Sequence, residues 1–462
     1  MPRNPGGTVS GFKLLSTPDA PTITGVTTSI GSASVAFTPP SDDGDGAITS
    51  YVVTAVDESS GVSTGVSGAS SPITISPGGG TFKIRMQALN PYGPGRLTEY
   101  DTGNAIYGGA ELYAWGQNSG GQLGDGTTSQ RSSPVQIGVL TTWLRVSAGG
   151  NFNASVKTDG TLWAWGVNGF GSLGDGTVVN KSSPVQIGAL TNWSQVSAGQ
   201  SHTASVKTDG TIWTWGYNLH GRLGDGTIVD KSSPVQIGVL TNWSQISAGG
   251  EHTASVKTDG TLWTWGQNSG GQLGDGTVLS RSSPVQIGAL TNWSQVSAGT
   301  IHTASIKTDG TLWTWGNNGN GRLGDGTVLS RSSPVQIGVL TDWAYVNTGP
   351  VAQHTTAIKT DGTLWTWGNN GNGRLGDGTV LSRSSPVQIG ALTNWLQVSA
   401  NDSHNAAVKT DGTLWTWGRN ANGRLGDGTT IDRSSPVQIG VLTDWAQASA
   451  GSTHTIALYG VV

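Results

Sequence analysis

The sequence predicts an all-β chain in two parts. A small antiparallel sandwich comes first, then a seven-bladed β-propeller closed by pairing of its N- and C-terminal repeat strands. Three observations predict this. Seven Trp-Gly dipeptides (Trp115-Gly116, Trp165-Gly166, Trp215-Gly216, Trp265-Gly266, Trp315-Gly316, Trp367-Gly368 and Trp417-Gly418) recur at a step of 50 residues, with one step of 52 between Trp315 and Trp367. The repeats show no 3.6-residue apolar period of helical length, only short alternating runs. All 20 Trp of the 462-residue chain lie in the repeats. A fixed period of this length marks a supersecondary unit that can bury its apolar face only against its neighbours.

Residues 1–17 read as an N-terminal tail or anchor. They lack the apolar core of an export signal, and no run of apolar residues is long enough to span a bilayer. Residues 18–102 contain no Trp, and carry the alternating runs SASVAFTP, AITSYVVTAVD and TFKIRMQAL between Gly, Pro and Asp clusters. That pattern predicts a sandwich. PDAPTITG, PPSDDGDGAITSYVVTA and FKIRMQALNPYGPG together resemble a fibronectin type III domain, with Phe37 where that family places a core Trp and Tyr51 on the next strand. The resemblance implies a spacer or adhesive module. Residues 101–109 are the expected linker, and residues 107–462 the propeller.

One repeat, starting at Thr241, reads TNWSQISAGGEHTASVKTDGTLWTWGQNSGGQLGDGTVLSRSSPVQIGAL. Four strands fit it: WSQISA, HTASVKT, TLWTWG and one ending in SSPVQIG. Asp259-Gly260 predicts a hairpin with both central residues at positive φ. Trp263 and Trp265, two apart, share a face. Pro284 cannot donate to a ladder and suits a sheet edge. The repeats begin at a third strand, ELYAWG, and end after a second, THTIAL. One blade is therefore predicted to form from both ends, with residues near 441–462 pairing residues near 109–140.

The consensus GxxHTASVKTDGTLWTWGxNxxGxLGDGT resembles the repeat of the regulator of chromosome condensation family along the whole of residues 107–462. Members of that family include nucleotide exchangers on a small GTPase, a plant UV-B sensor and an inhibitor of β-lactamases. The resemblance implies a rigid disc that grips another macromolecule.

Charged residues are 11% of the chain and the net charge is −4, with no Lys/Arg run, so nucleic acid is not an expected partner. There is no Cys for a thiolate metal site. His202, His252, His302, His354, His404 and His454 share one repeat position, which Phe152 fills in the first copy. Neighbouring copies of one position are too far apart to share an ion, so each imidazole is expected to bond nearby loop backbone. The Asp of each LGDGT and KTDG reads as a turn cap. Identical repeats offer no pair of carboxylates in different environments. No enzyme, metal or cofactor is expected.

The repeats also align with one another. KTDG and the inter-blade link GVLTNW barely vary, whereas the loops AGxxH and WGxNxxG do. Strand alternation puts these two variable loops on one face. Their larger members, Phe152, Phe170, Tyr217, His220, Glu251, Ile301 and Arg419, are the candidate binding residues. The function expected is non-enzymatic binding or adhesion. A phage virion surface or fibre protein gripping a host or capsid protein or glycan is the first setting. A secreted or cell-surface bacterial inhibitor is the alternative, and nucleotide exchange ranks third because no wedge-like insertion interrupts the repeats.

Overall fold

A computed structural model describes residues 16–29, 32–57, 63–75, 82–101 and 109–460. The N-terminal tail up to residue 15 and linker residues 102–108 lie outside these. The chain divides into two units, residues 1–108 and 109–460.

In the first unit, strands Thr22–Ser29, Ser32–Thr38 and Ile73–Ile75 form one antiparallel sheet. Ser63–Gly68, Ser50–Asp57, Phe82–Asn90 and Gly93–Pro94 form a second in that order, and Thr98–Asp101 also pairs with Phe82–Asn90. Alternate residues of both sheets, Val35, Phe37, Tyr51, Val53, Ile73, Ile84 and Met86, make a single core. The rings of Phe37 and Tyr51 lie 4.5 Å apart at its centre, so the two aromatics read from the sequence do pack together.

The second unit consists of seven four-stranded antiparallel sheets. The sheet of the repeat quoted above has the strand order Trp243–Ala248, His252–Lys257, Leu262–Gly266, Arg281–Gln286. The sheets are numbered here by their order around the unit. The first is shared between the two ends of the repeats: Arg131–Gln136 and Glu111–Gly116 pair onward to His454–Tyr459 and Trp445–Ala450. His454 faces Gly116 and Tyr459 faces Glu111 in that seam.

A ladder of side chains joins the innermost strands. The backbone N–H groups of Ala148, Ala198, Ala248, Ala298 and Thr348 donate to the Oγ of Ser449, Ser147, Ser197, Ser247 and Ser297. Ala400 donates to Asn347 Oδ1, and Ala450 to Ser399 Oγ. Each bond crosses from one sheet to the next, and the last returns to the first, so the seven sheets close on themselves.

Between sheets the wedge is tryptophan. Trp115, Trp165, Trp215, Trp265, Trp315, Trp367 and Trp417 are each 0% exposed. Each lies against the first Gly of GDG in the preceding repeat. That Gly holds a left-handed backbone, as at Gly274 with φ +80°, and a Cβ there would come within 2.6 Å of Trp315 Nε1. A Gly is needed twice over, for the φ and for the ring. Within a sheet, the Trp opening the inner strand stands edge-on to both third-strand indoles, as Trp143 does to Trp163 at 6.1 Å and to Trp165 at 5.9 Å.

The hairpin differs from expectation. Gly260 has φ +75°, but Asp259 does not take positive φ. Gly260 N donates to Lys257 O, and Lys257 N to Thr261 O. This is a type I turn followed by a left-handed Gly bulge, which needs only one residue at positive φ. Asp259 serves as a cap instead, its Oδ1 accepting from Thr261 N at 2.9 Å and Thr261 Oγ1 at 2.7 Å.

Gly276, also at φ +80°, has only Ser333 Oγ near a built Cβ, at 3.8 Å. Gly276→Ala should therefore cost about 1–2 kcal/mol for its backbone alone. Gly274→Ala should cost a further ~1–3 kcal/mol for overpacking the indole. Denaturant midpoints of the two variants check this. Equal losses would show that the ring is not the constraint.

Candidate functional site

The two ends of each sheet are built differently. At one end the loop after the inner strand meets the loop after the third. Val167 N donates to Asn151 O, Tyr217 N to Ser201 O, Gln267 N to Glu251 O, Asn317 N to Ile301 O and Arg419 N to Ser403 O. At the other end the KTDG hairpin meets the link, with Thr258 N donating to Asn242 O and Trp293 N to Gly260 O. The two variable loops thus share one end of every sheet, and the near-constant turns share the other.

A buried Asn shapes each variable loop. Asn268 Nδ2 donates to Asp275 Oδ1 and to the carbonyls of Thr277 and Leu279, while its Oδ1 accepts from Leu273 N. Asp275 Oδ1 also accepts from Thr277 N and Oγ1, and its Oδ2 is held by Arg281 at 2.8 Å. The LGDGT carboxylate is a turn cap that also ties down the outer strand. These bonds from Thr277 and Arg281 hold its pKa below the ordinary carboxylate value although burial works against them. Invariance of the Asn in WGxN was the sequence signal for this hub.

The candidate residues separate. Phe152 is 2% exposed. It packs with Ala154, Ala164, Leu173, Ala198 and Trp215, and so offers no partner a surface; its binding role is withdrawn. An aromatic ring at a histidine position is filler for a site that is fully buried in every copy. Phe170, 46% exposed, lies 4.4 Å from the half-buried Tyr217 ring, and the Arg222 guanidinium sits 4.7 Å from that ring. His220 follows in the same loop at φ +66°, the one non-Gly residue at positive φ among those described. Glu251 interacts favourably with Arg222. Phe170, Tyr217, His220 and Glu251, from the second, third and fourth sheets, therefore form one patch. Half-buried Ile301 stands on the fifth sheet and exposed Arg419 on the seventh, outside this stack.

The imidazoles do not bond loop backbone as expected. Each Nε2 meets a side chain of the next sheet: His202 to Thr253, His252 to Thr303, His302 to Thr355 and His404 to Thr455 at 2.8–3.0 Å. His354 meets Asn405 Oδ1 and His454 meets Asn153 Oδ1. They are inter-sheet pegs. Among the described residues no cluster of His, Cys, Asp or Glu could hold a metal ion.

Sequence reasoning missed three features. The KTDG lysines are buried: Lys157 Nζ lies 3.7 Å from the Trp163 ring centre and 4.6 Å from that of Trp143, a desolvated cation–π contact. In the first sheet Tyr459 takes that place, against Tyr113 and Trp445. Exposed apolar side chains concentrate outside the variable loops, in the links (Val139, Val239, Val339, Val441) and after GDGT (Val278, Leu279). Finally, grooves of roughly equal build recur beside the links. One of about 520 Å³ is lined by Ile137, Leu140, Trp143, Lys157, Trp163 and Arg131, and another of about 620 Å³ by the matching residues around Trp243.

Closed sheets, four-stranded and threaded from inside to outside, define a repeat β-propeller. Residues 111–457 match the RCC1-like domain, and the chain belongs to that family. Human WBSCR16 superposes with a TM-score of 0.68 at 20% identity, covering 76% of this chain and 99% of its own. Yeast RCC1 (Prp20), solved bound to Kap60, gives 0.68 at 19%, covering 77% and 89%. Prp20p from Saccharomyces cerevisiae, studied with its binding to Gsp1p and histones, gives 0.67 at 20%, covering 77% and 92%. Identities this low carry the fold and nothing further. No curated protein matches the chain. No helix among the described residues is long and apolar enough to cross a membrane.

Burial makes the imidazoles hard to protonate, lowering the pKa of His252, His354 and His454 to about 3 and the others likewise well below 6.5. The unfolded chain therefore binds more protons than the folded one between about pH 6.5 and 3. Stability is full above that window and falls as pH drops through it, by up to ~1.4 kcal/mol per pH unit for each His. Urea unfolding from pH 8 to 4.5 should show this decline. His252→Phe should reduce the slope by about one proton; an unchanged slope would place the proton uptake elsewhere.

Proposed function

We propose that this chain is a non-enzymatic binding protein that holds a macromolecular partner on the variable end of its repeats. In this reading the seven four-stranded sheets are the blades of one seven-bladed propeller. Residues 18–102 form a fibronectin type III-like spacer, and residues 107–462 the head. The observation that carries the proposal is the Phe170–Tyr217–Arg222 stack beside His220 and Glu251. Aromatic side chains, partly exposed and held on a rigid frame by a buried arginine, are the chemistry of protein hot spots, since little entropy is lost when they are covered.

Two further observations support it. The loops at the same end vary more than the turns at the other among otherwise matching repeats. Prp20p of the same fold is described with protein partners. The virion surface setting, with a host or capsid protein or glycan as the ligand, remains our first proposal for context. It rests on the coupling of a small spacer-like sandwich to a binding head. Presence of the chain in purified particles tests it, and a particle proteome without it removes that setting in favour of a bacterial surface or secreted inhibitor.

A second reading is favoured by the recurring grooves beside the links, each lined by an exposed leucine such as Leu140 or Leu240. There the partner would bind several equivalent sites at once, and avidity would replace a single hot spot.

Protein pull-downs and glycan arrays with the full chain distinguish the two. Phe170→Ala combined with Tyr217→Ala should weaken capture by on the order of tenfold or more, and Leu140→Ser combined with Leu240→Ser should leave it unchanged. The reverse pattern would move the site to the grooves.

A further inference from the structure

Four repeats place an arginine immediately before LGDG: Arg222, Arg322, Arg374 and Arg424, where the others have Gln122, Ser172 and Gln272. All four arginines are buried at the variable end. A buried guanidinium needs acceptors for a rigid fork of donors, and usually an anion as well. Three of the four satisfy this in one way. Nη1 donates to the carbonyl two residues before the next sheet's histidine: Arg222 to Gly250 O at 2.8 Å, Arg374 to Asp402 O at 2.7 Å and Arg424 to Ser452 O at 2.7 Å.

Arg322 does not. The carbonyl at the matching place is Ala352 O, in the one loop lengthened by two residues, and it accepts from Thr300 Oγ1 at 2.9 Å instead. Arg322 is 4% exposed. Its Nη1, which the other three bond, is buried with no acceptor among the described residues, and its Nε is unpaired like those of Arg374 and Arg424. Nor does an acid among the described residues balance it. Arg222 feels Glu251 and Asp230 favourably, and Arg374 and Arg424 feel Asp402 favourably against the opposing charge of Arg419. Burial pushes the Arg322 pKa down to about 10, as it does that of Arg424, and the one charge Arg322 feels is that of Arg374. His302 and His354 beside it are held neutral by their own burial and by this arginine.

We propose that Arg322, at the Pro350–Gln353 loop, anchors a carboxylate side chain of a partner protein. The proposal rests on the reading that the variable end holds the partner, and gives that partner an acidic residue. A planar guanidinium with unused donors suits a carboxylate, which meets the buried Nε and Nη1 when the Pro350–Gln353 loop above them draws aside. A phosphate dianion would call on a second cation, and the terminal nitrogens of neighbouring Arg374 are already held by Asp402 O and Asn372 Oδ1.

The test is calorimetric titration of the full chain with a glutamate homopeptide, a glutamine homopeptide and inorganic phosphate. Arg322→Gln suits it, because Gln122 and Gln272 already occupy this position in other repeats. The glutamate peptide should bind the wild type and Arg424→Gln alike, and Arg322→Gln at least about tenfold more weakly. The glutamine peptide should not bind. Melting temperature supplies a second readout. Arg322→Gln should melt at or above the wild type, because it removes an uncompensated buried charge, whereas Arg424→Gln should melt lower.

Equal binding by Arg322→Gln, absence of binding by the wild type, or a melting loss in Arg322→Gln like that of Arg424→Gln would each overturn the proposal. Phosphate binding as tightly as the peptide would make the site a general anion site and overturn the carboxylate assignment. Partner capture by the Phe170/Tyr217 variant, measured alongside, reports on the variable end as a whole. Loss there with unchanged Arg322→Gln binding removes only the carboxylate anchor.

Discussion

Each sheet of the repeat unit stands on one contact: an indole laid against a glycine of the sheet before it. Trp315 over Gly274 is the pattern, and Trp115 over Gly426 closes it. The sequence is poor in long aliphatic side chains, so a large flat ring must supply the buried area that holds two sheets together. The ring fits only because the facing residue has no Cβ and can hold φ near +80°. That glycine sits inside the turn whose Asp and Asn organise the variable loop. The contact that makes the core therefore also fixes where the loops begin.

This dependence explains what the sequence discloses. The Trp-Gly spacing, the four strands and the seam at Glu111–Gly116 were legible because each depends on local alternation or on the repeat itself. The hairpin's place was legible from Asp259-Gly260, but not its type, because one left-handed Gly is sufficient when the strand can absorb a bulge. The histidines were read as local because their partners are about fifty residues away on another sheet. Phe152 was read as an anchor because residue type does not report depth. The buried lysines were missed for a similar reason: Lys157 sits beside a surface turn in sequence, yet folds back over two indoles that only the sheet brings beside it.

The same logic separates the two ends of the repeats. At the hairpin end, link, turn, lysine and indoles are interlocked, so few residues there can change without disturbing the core. At the other end the Asn–Asp hub fixes the loop backbone from beneath, and the residues above it are released from packing duty. A patch such as Phe170–Tyr217 and a misfit such as Arg322 can arise there without loss of the frame. The two-residue lengthening before His354 illustrates this. It leaves the peg to Asn405 in place, yet alters which donor the Ala352 carbonyl satisfies.

The shared first sheet has a consequence in time. During synthesis, strand Glu111–Gly116 leaves the ribosome before every other strand of the repeats, but its inner neighbour His454–Tyr459 is made last. Until then, one edge of that strand has no mate, and bringing the two together closes the longest loop in the unit. Six sheets can assemble in order as they emerge, each on the one before. The seam is a latch that sets only when translation of the head is finished. A ribosome stalled anywhere short of residue 454 therefore carries an open arc with exposed strand edges, the kind of surface that chaperones hold and quality control reads.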